Sequence, residues 1–388
     1  MLIKAISLDS LDNRMPFIEI DYNQVRELMN RENITSPFLM LSRKVVRRNL
    51  ETLQKALPGV KIKYAIKSNS HPVILEEVAG AGHSFDIASY DELKGALEAG
   101  GKVEKFIHSH PIKSAYELDK AIESGVDLFI ADNPDEVEKF RRIKRKVRIM
   151  LRLKIEDSSA LVNLSYKFGC MPHDVFPLVR KIREVGHEFG GLAFHVGSQC
   201  LDNGIYLYAI EVVGKLIKRL KTEGNETPLI DIGGGFPAPY TSDVPAIEDF
   251  CGPITEALKK YIPDNVELFC EPGRYISATA VTLVTTVIGK SRRAGKLWYY
   301  LDDGMYGSFS GRMYDHARPL PVTGKNGGFK RSVLAGPTCD SIDVIYKEIS
   351  LPSLEIGDLL MFPAMGAYAS VSASTFNSLR KAEYFVID

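Results

Sequence analysis

Lys67 closes the apolar run from Ile62 to Ile66 in the stretch Lys63-Tyr-Ala-Ile-Lys-Ser-Asn69. The alternation there reads as a buried strand, and a lysine at its end presents an amine to whatever site lies beyond. Burial makes an amine lose its proton more easily, and a neutral amine condenses with an aldehyde to a Schiff base. Other reactive residue types stand just past further apolar runs: Asp86 and Ser89, Arg152, His195-Val-Gly-Ser198, Gly233-Gly-Gly235 and Glu271-Pro-Gly-Arg274. The triple glycine exposes backbone N–H groups suited to a phosphate, and Arg274 and Ser198 add donors for a dianion. Each has a plainer reading alone: a solvated lysine, a structural turn, a surface acid, a satisfied core histidine. Their shared position at successive strand ends is what points to one site.

Two other chemistries are weaker. Gly233 to Ala238 loosely fits a dinucleotide fingerprint, but Pro237 has no N–H and no helix start follows. His108-Ser-His110 places two imidazoles on one face of a strand, as in barrel metal hydrolases. That site needs His and Asp ligands from other strand ends. No second HxH or HxxH appears, so no metal is expected.

Eight apolar runs recur with amphipathic segments between them: Lys61–Ile66, Ser84–Ala88, Phe106–Ser109, Leu128–Ala131, Val147–Leu153, Leu192–Val196, Leu229–Ile232 and Glu267–Cys270. Helical spacing marks Ser89–Ala99, Ser114–Ser124, Pro134–Ile143 and Gly204–Lys221. Strand–helix alternation repeated eight times predicts an α/β fold, a closed (β/α)8 barrel with its site at the C-terminal strand ends. After Ser277 the texture changes to β-rich runs without a long helix: Val281–Ile288, Leu297–Leu301, Ser332–Ala335 and Leu359–Phe362. The expected organisation is a barrel over 36–276 and an all-β domain over 277–388. Residues 1–35 complete the β-domain, with strands at Ala5–Ser7 and Phe17–Asp21.

The chain has 388 residues, too many for one ordinary core. Lys+Arg and Asp+Glu both total 49, a balance that argues against nucleic acid or a membrane surface and for a small-molecule substrate. No apolar stretch is long enough to span a bilayer, and the N-terminus lacks the regions of a signal peptide. Five scattered cysteines without a CxxC fit reduced thiols in a cytoplasmic enzyme.

The chain resembles the fold-type III pyridoxal-phosphate decarboxylases of ornithine, lysine, arginine and diaminopimelate, with an alanine-racemase-like barrel, and within them the ornithine decarboxylase branch. The motifs are Tyr64-Ala-Ile-Lys-Ser-Asn69, Phe85-Asp-Ile-Ala-Ser89, His195-Val-Gly-Ser198, Asp231-Ile-Gly-Gly-Gly-Phe-Pro237 and Glu271-Pro-Gly-Arg-Tyr275. The second half adds Asp302-Asp-Gly-Met-Tyr-Gly-Ser-Phe309, Tyr314-Asp-His316, Gly336-Pro-Thr-Cys-Asp340 and Met365-Gly-Ala-Tyr368. They run in family order over nearly the whole chain.

The resemblance implies pyridoxal 5'-phosphate as cofactor, with Lys67 as its covalent anchor and Glu271 paired to the pyridine nitrogen, which makes the ring an electron sink. It implies phosphate contacts from Ser198, Gly235, Arg274 and Tyr368, with Gly234, Pro272 and Gly273 also against the cofactor. His195 would stack on the ring, and Asp86 and Arg152 would support the site. Cys339 would return a proton to Cα from the partner subunit of a homodimer whose sites lie at the interface. A thiol suits that role better than a serine. Tyr314, Asp315 and Asp340 would receive the cationic tail of a diamino acid, since a desolvated ammonium needs an anionic partner. The implied reaction is L-ornithine to putrescine and CO2, with L-lysine to cadaverine beside it.

A decarboxylase of diaminopimelate or of a carboxylated polyamine is the rival; diaminopimelate needs its second carboxylate bound, and Asp315 speaks against the longer pocket of the arginine branch. A racemase would want a less electron-withdrawing partner than Glu271, and a non-catalytic regulatory homologue need not keep both Lys67 and Cys339. Ser68 stands where the family commonly has cysteine, and Phe106-Ile-His-Ser-His-Pro111 departs from the usual Ala-Asn-Pro. The chain ends soon after the last motif, without the long tail of animal members, so a compact, bacterial-type enzyme is expected.

Overall fold

Strand β1 (Phe38–Leu41) precedes the eight strands of a closed parallel barrel. These are β2 (Val60–Ala65), β3 (Ser84–Ile87), β4 (Ile107–His108), β5 (Leu128–Ala131), β6 (Arg148–Leu153), β7 (Glu188–Phe194), β8 (Leu229–Asp231) and β9 (Glu267–Cys270). The coordinates are a computed structural model that describes residues 22–155, 166–240, 243–314 and 318–387. The barrel implied by the eightfold alternation is therefore present. Closure comes from β9 pairing with β2 in parallel, Ile62 beside Cys270.

Local chemistry sets where the helices begin. Ser89, Ser114 and Asn133 each accept an N–H three residues on, from Glu92, Glu117 and Glu136. This S/N-x-x-E pattern caps helices Tyr90–Glu98, Ala115–Glu123 and Pro134–Glu138. Pro134–Glu138 is shorter than its apolar spacing suggests, because the chain tightens into a 3-10 turn at Lys139–Arg142. Strand β4 has only two residues, so His110 lies in the following loop, edge-on to Phe168, while His108 stacks on Phe129. Among the described residues no group of three or more His, Cys, Asp or Glu is placed to hold a metal, and no helix is long and apolar enough to cross a membrane.

Inside the barrel, Ile107, Leu128, Ile130, Met150, Ala193, Leu229 and Phe269 form one buried cluster. Between β6 and β7 the register shifts, so that Ile149 opposes Phe189 and Met150 opposes Gly191. The extra residue, Gly190, makes this a β-bulge. Gly191 itself has φ 131°, and a Cβ there would lie 2.0 Å from the Leu229 carbonyl oxygen of β8. Two more charges are wholly buried on the barrel's helical layer: Lys113 and Glu136 pair at 3.1 Å.

The other compact unit comprises residues 1–45, 239–242 and 277–388, and the barrel unit comprises 46–238 and 243–276. Its sheet continues with β10 (Val281–Arg293), β11 (Lys296–Leu301), β12 (Lys330–Ala335), β13 (Val344–Leu351), β14 (Leu359–Phe362) and β15 (Glu383–Val386). The order is β13-β12-β11-β10-β1-β15, with β14 also paired to β10. Pro37-Phe-Leu-Met-Leu thus enters this sheet, with Phe38 opposite Val284. Helix Tyr22–Glu32 packs Val25 against Phe38, Met40, Val284 and Met361. The strands expected at Ala5–Ser7 and Phe17–Asp21 lie outside the described residues.

Because the neighbour of a Gly191 side chain would be strand backbone that cannot swing aside, Gly191→Ala should force β7 and β8 apart. The expected loss is about 3 kcal/mol or more of unfolding free energy, read as a lower urea midpoint.

Candidate active site

The C-terminal ends of the barrel strands carry the residues singled out from the sequence. Lys67 lies in the 3-10 turn Ile66–Ser68 after β2, and its Nζ meets Asp86 Oδ2 of β3 at 2.9 Å. Arg152 occupies β6, His195 follows β7, Gly233 to Gly235 follow β8, and Glu271 to Arg274 follow β9. Ser198 Oγ accepts from Arg274 Nε at 3.2 Å and Nη2 at 3.0 Å. Pro272 accepts the Ala65 N–H through its carbonyl and ties the last strand end to the first.

The glycine turn is held open from several sides. Gly235 has φ 118°, and a Cβ there would come within 2.4 Å of the Gly197 oxygen; one on Gly234 would meet the Glu271 oxygen at 2.4 Å. Buried Tyr206 donates to the Gly234 carbonyl at 2.8 Å, and Cys200 N–H donates to that of Gly235. The N–H groups of Gly234 and Gly235 donate to nothing among the described residues. Beside the Arg274–Ser198 pair, they make a concave set of donors of the kind an anion occupies.

Electrostatics separates the groups. His195 Nδ1 accepts from Gly197 N–H at 3.0 Å, which leaves the ring proton on Nε2. Burial, with Arg152 and Lys67 nearby, holds this histidine well below its ordinary value, so the ring is neutral. Glu271, Asp231 and Asp86 are 6%, 1% and 1% exposed. Burial raises Glu271 well above the usual carboxylate range; Asp231 and Asp86 push it further and Lys67 opposes. Asp231 is raised as well, first by burial, although Gly233 N–H donates to its Oδ1 at 2.8 Å. Glu271 Oε1 and Asp86 Oδ1 are buried without a hydrogen-bond partner.

Two contributors had no role assigned from the sequence. Asp231 sits at the end of β8 directly before the glycines, where an acid on a short apolar strand was the available signal. Glu92 accepts the Ala88 N–H at 2.6 Å, and burial raises it to about 7, with Asp86 and Lys67 as charged neighbours. Its signal was the S-x-x-E cap that also begins its helix.

The remaining expected site residues belong to the β unit. Cys339 is exposed, its Sγ 3.4 Å from Asn377 Oδ1, which also accepts the Cys339 N–H at 3.3 Å. Asp340 Oδ2 accepts from Tyr306 OH at 2.6 Å, and this bond holds its carboxyl below the ordinary range. Tyr306 in turn stacks on Phe376, ring centroids 4.3 Å apart. Buried Asp343 braces the loop by accepting from Thr338 N and Oγ1 and from Met305 N. Tyr314 OH donates to the Tyr368 carbonyl at 3.0 Å, and Tyr368 has φ 55°. Asp315 lies outside the described residues.

The barrel's set fits pyridoxal phosphate: an amine for its aldehyde carbon, a buried carboxylate oxygen lacking a donor for its ring N–H, and N–H, hydroxyl and guanidinium donors for its phosphate. The raised carboxyl at Glu271 also has a thermodynamic consequence. A folded pKa above the ordinary 4.5 means the folded state binds this proton more tightly, so stability falls as pH rises from below that value through the folded one. In cofactor-free protein, Glu271→Gln should raise stability more at about pH 8 than at about pH 5, measured by urea unfolding. Parallel pH profiles for the two proteins would count against an ionisation penalty at this position.

A family profile described as pyridoxal-dependent decarboxylase, pyridoxal binding domain, matches residues 43–278. Lysine/ornithine decarboxylase of Selenomonas ruminantium is 37% identical over 379 residues, 96% of this chain and 95% of that protein. The crystal structure of lysine/ornithine decarboxylase from Vibrio vulnificus complexed with putrescine matches with a TM-score of 0.89 at 38% identity, covering 95% of this chain and 99% of that one. For a crystal structure of lysine decarboxylase from Selenomonas ruminantium the TM-score is 0.90 at 35% identity, over 95% and 97% of the two chains. With its closed barrel and these matches over most of its length, the chain belongs to the pyridoxal-dependent decarboxylases, and its cofactor is pyridoxal 5'-phosphate.

Proposed function

We propose that this protein decarboxylates L-ornithine to putrescine and CO2, and L-lysine to cadaverine, as a cytoplasmic homodimer. The observation that carries the substrate reading is the adjacent pair Cys339–Asp340, with the thiol against Asn377 and the carboxylate fixed as an anion by Tyr306. A carboxylate kept ionised beside a proton-bearing thiol suits a substrate with a cationic tail and a carbanion to quench. The relatives named for lysine and ornithine, one bound to putrescine, support the same substrate class.

Pyridoxal phosphate supplies an electron sink for the pair left on Cα when CO2 departs. Lys67 Nζ anchors it, and Asp86 Oδ2 keeps that amine oriented. Glu271 Oε1 faces the ring nitrogen and keeps its proton in place, with buried Asp231 beside it. Neutral His195 offers a ring face, and Arg152 offsets the acids around it. Ser198, Gly235, Arg274 and Tyr368 hold the phosphate, and Gly234, Pro272 and Gly273 shape the cofactor site beside them. Cys339 delivers the proton to Cα, while Asp340, Tyr314 and Asp315 receive the distal ammonium.

Exposed apolar side chains accompany the thiol: Ile342 is 56% exposed, Met313 48% and Phe376 40%. In a protein with an even charge balance, such a patch favours burial against a second copy. Our reading gives each barrel the Cys339 and Asp340 of the partner subunit. Four cysteines are buried, Cys339 is exposed and none of the five is in a disulfide, which suits a reducing compartment.

CO2 release should be strong with ornithine and measurable with lysine, because one methylene changes selectivity by only about 1–3 kcal/mol. Lys67→Ala should abolish it; turnover of meso-diaminopimelate alone would overturn the substrate assignment. Cys339→Ala should lower kcat by roughly 100-fold or more at nearly unchanged cofactor affinity. Mixing and reassociating the Lys67→Ala and Cys339→Ala subunits should restore about a quarter of wild-type activity, since half the dimers then carry one intact site. A mixture as inactive as its parents would refute shared sites.

A further inference from the structure

The opposite, N-terminal mouth of the barrel holds a cavity of about 530 Å³. Four cations line it, Lys61, Lys63, Lys105 and Arg148, against two carboxylates, Glu104 and Glu267. Two of the cations are already answered: Lys61 pairs with Glu267 at 2.9 Å and Arg148 with Asp127 at 3.1 Å. Among the described residues neither Lys63 nor Lys105 forms an ion pair.

Lys63 is the anomaly. It is 8% exposed, it donates to the Lys105 carbonyl, and its Nζ sits 4.9 Å from the centre of the Phe269 ring. Buried ammonium groups are ordinarily matched by a carboxylate. Burial lowers this one to about 8, opposed by Asp231, Glu267 and Glu271, so at neutral pH it is still mostly charged. The inner wall beside it is apolar, built from Leu128, Leu229 and Phe269 of the barrel's buried cluster.

We propose that this N-terminal mouth is a binding site for a small organic anion, a carboxylate carrying a flat apolar body. The carboxylate supplies the missing counter-charge to Lys63 and Lys105, and the body packs on Leu128, Leu229 and Phe269. The volume lies in the range of small-molecule sites, about 300–1,000 Å³. Lys67 and the glycine turn stand at the other ends of the same strands, and Glu271 and Asp231 reach Lys63 through their charge alone, without an ion pair.

The experiment is 19F NMR titration of 4-fluorobenzoate into the cofactor-loaded full chain. Saturable broadening is expected for the wild type, with the dissociation constant raised roughly tenfold or more in Lys63→Met, as for loss of a charge-assisted hydrogen bond. Lys105→Gln, on an exposed side chain, should weaken binding several-fold and keeps the test decisive if Lys63→Met does not fold. The cation 4-fluorobenzylamine should not compete. Absence of saturable broadening in the wild type, or identical titrations for wild type and Lys105→Gln, would overturn the assignment.

Discussion

Three carboxylates buried at one end of the barrel, on Asp86, Asp231 and Glu271, are the constraint around which the site is organised. Removing an ionised carboxylate from water is expensive unless a cation or donors replace the lost hydration. Lys67 answers Asp86 directly, Gly233 N–H answers Asp231, and Arg152 contributes positive charge nearby. Glu271 keeps one oxygen without a donor. An acid so placed suits a cationic partner, such as the protonated ring nitrogen we propose for it.

That arrangement requires a rigid frame. Closure of the sheet puts the ends of β2, β3, β6, β7, β8 and β9 around one opening, so residues far apart in sequence face a common centre. Side-chain-free turns let backbones pass closely there: Gly234 and Gly235 leave no room for a Cβ, and Tyr206 and Cys200 fix their carbonyls. The frame has a second open end of different character, where Lys63 forms no ion pair among the described residues. One strand, β2, thus leads from Lys63 at one mouth to Lys67 at the other.

The β unit solves a different problem. Cys339 and Asp340 stand on a loop with little regular structure of its own, and their placement comes from side chains elsewhere. Asp343 binds the loop from within, Asn377 holds the thiol, and Tyr306 clamps the aspartate while stacking on Phe376. The tyrosine hydroxyl keeps Asp340 ionised by donating to it, which is the state our proposed role for this residue requires.

The sequence by itself determined the barrel and the chemistry of its rim. Periodicity located all eight strands, with ends displaced by a few residues, because apolar alternation is set by the same burial that forms the sheet. The caps at Ser89, Ser114 and Asn133 are local signals too, but apolar spacing alone did not single them out. Tertiary structure alone decided what depends on neighbours remote in sequence: the sheet that Phe38–Leu41 joins, the bulge at Gly190, the two-residue length of β4 and the inclusion of helix Tyr22–Glu32. It alone showed that Asp231 and Glu271 share one desolvated space, that His195 is held as a particular neutral tautomer, and that Lys63 faces a cavity. Spacing along a chain fixes which face a residue occupies, whereas pKa, tautomer and unmet charge follow from what other strands bring within a few ångströms.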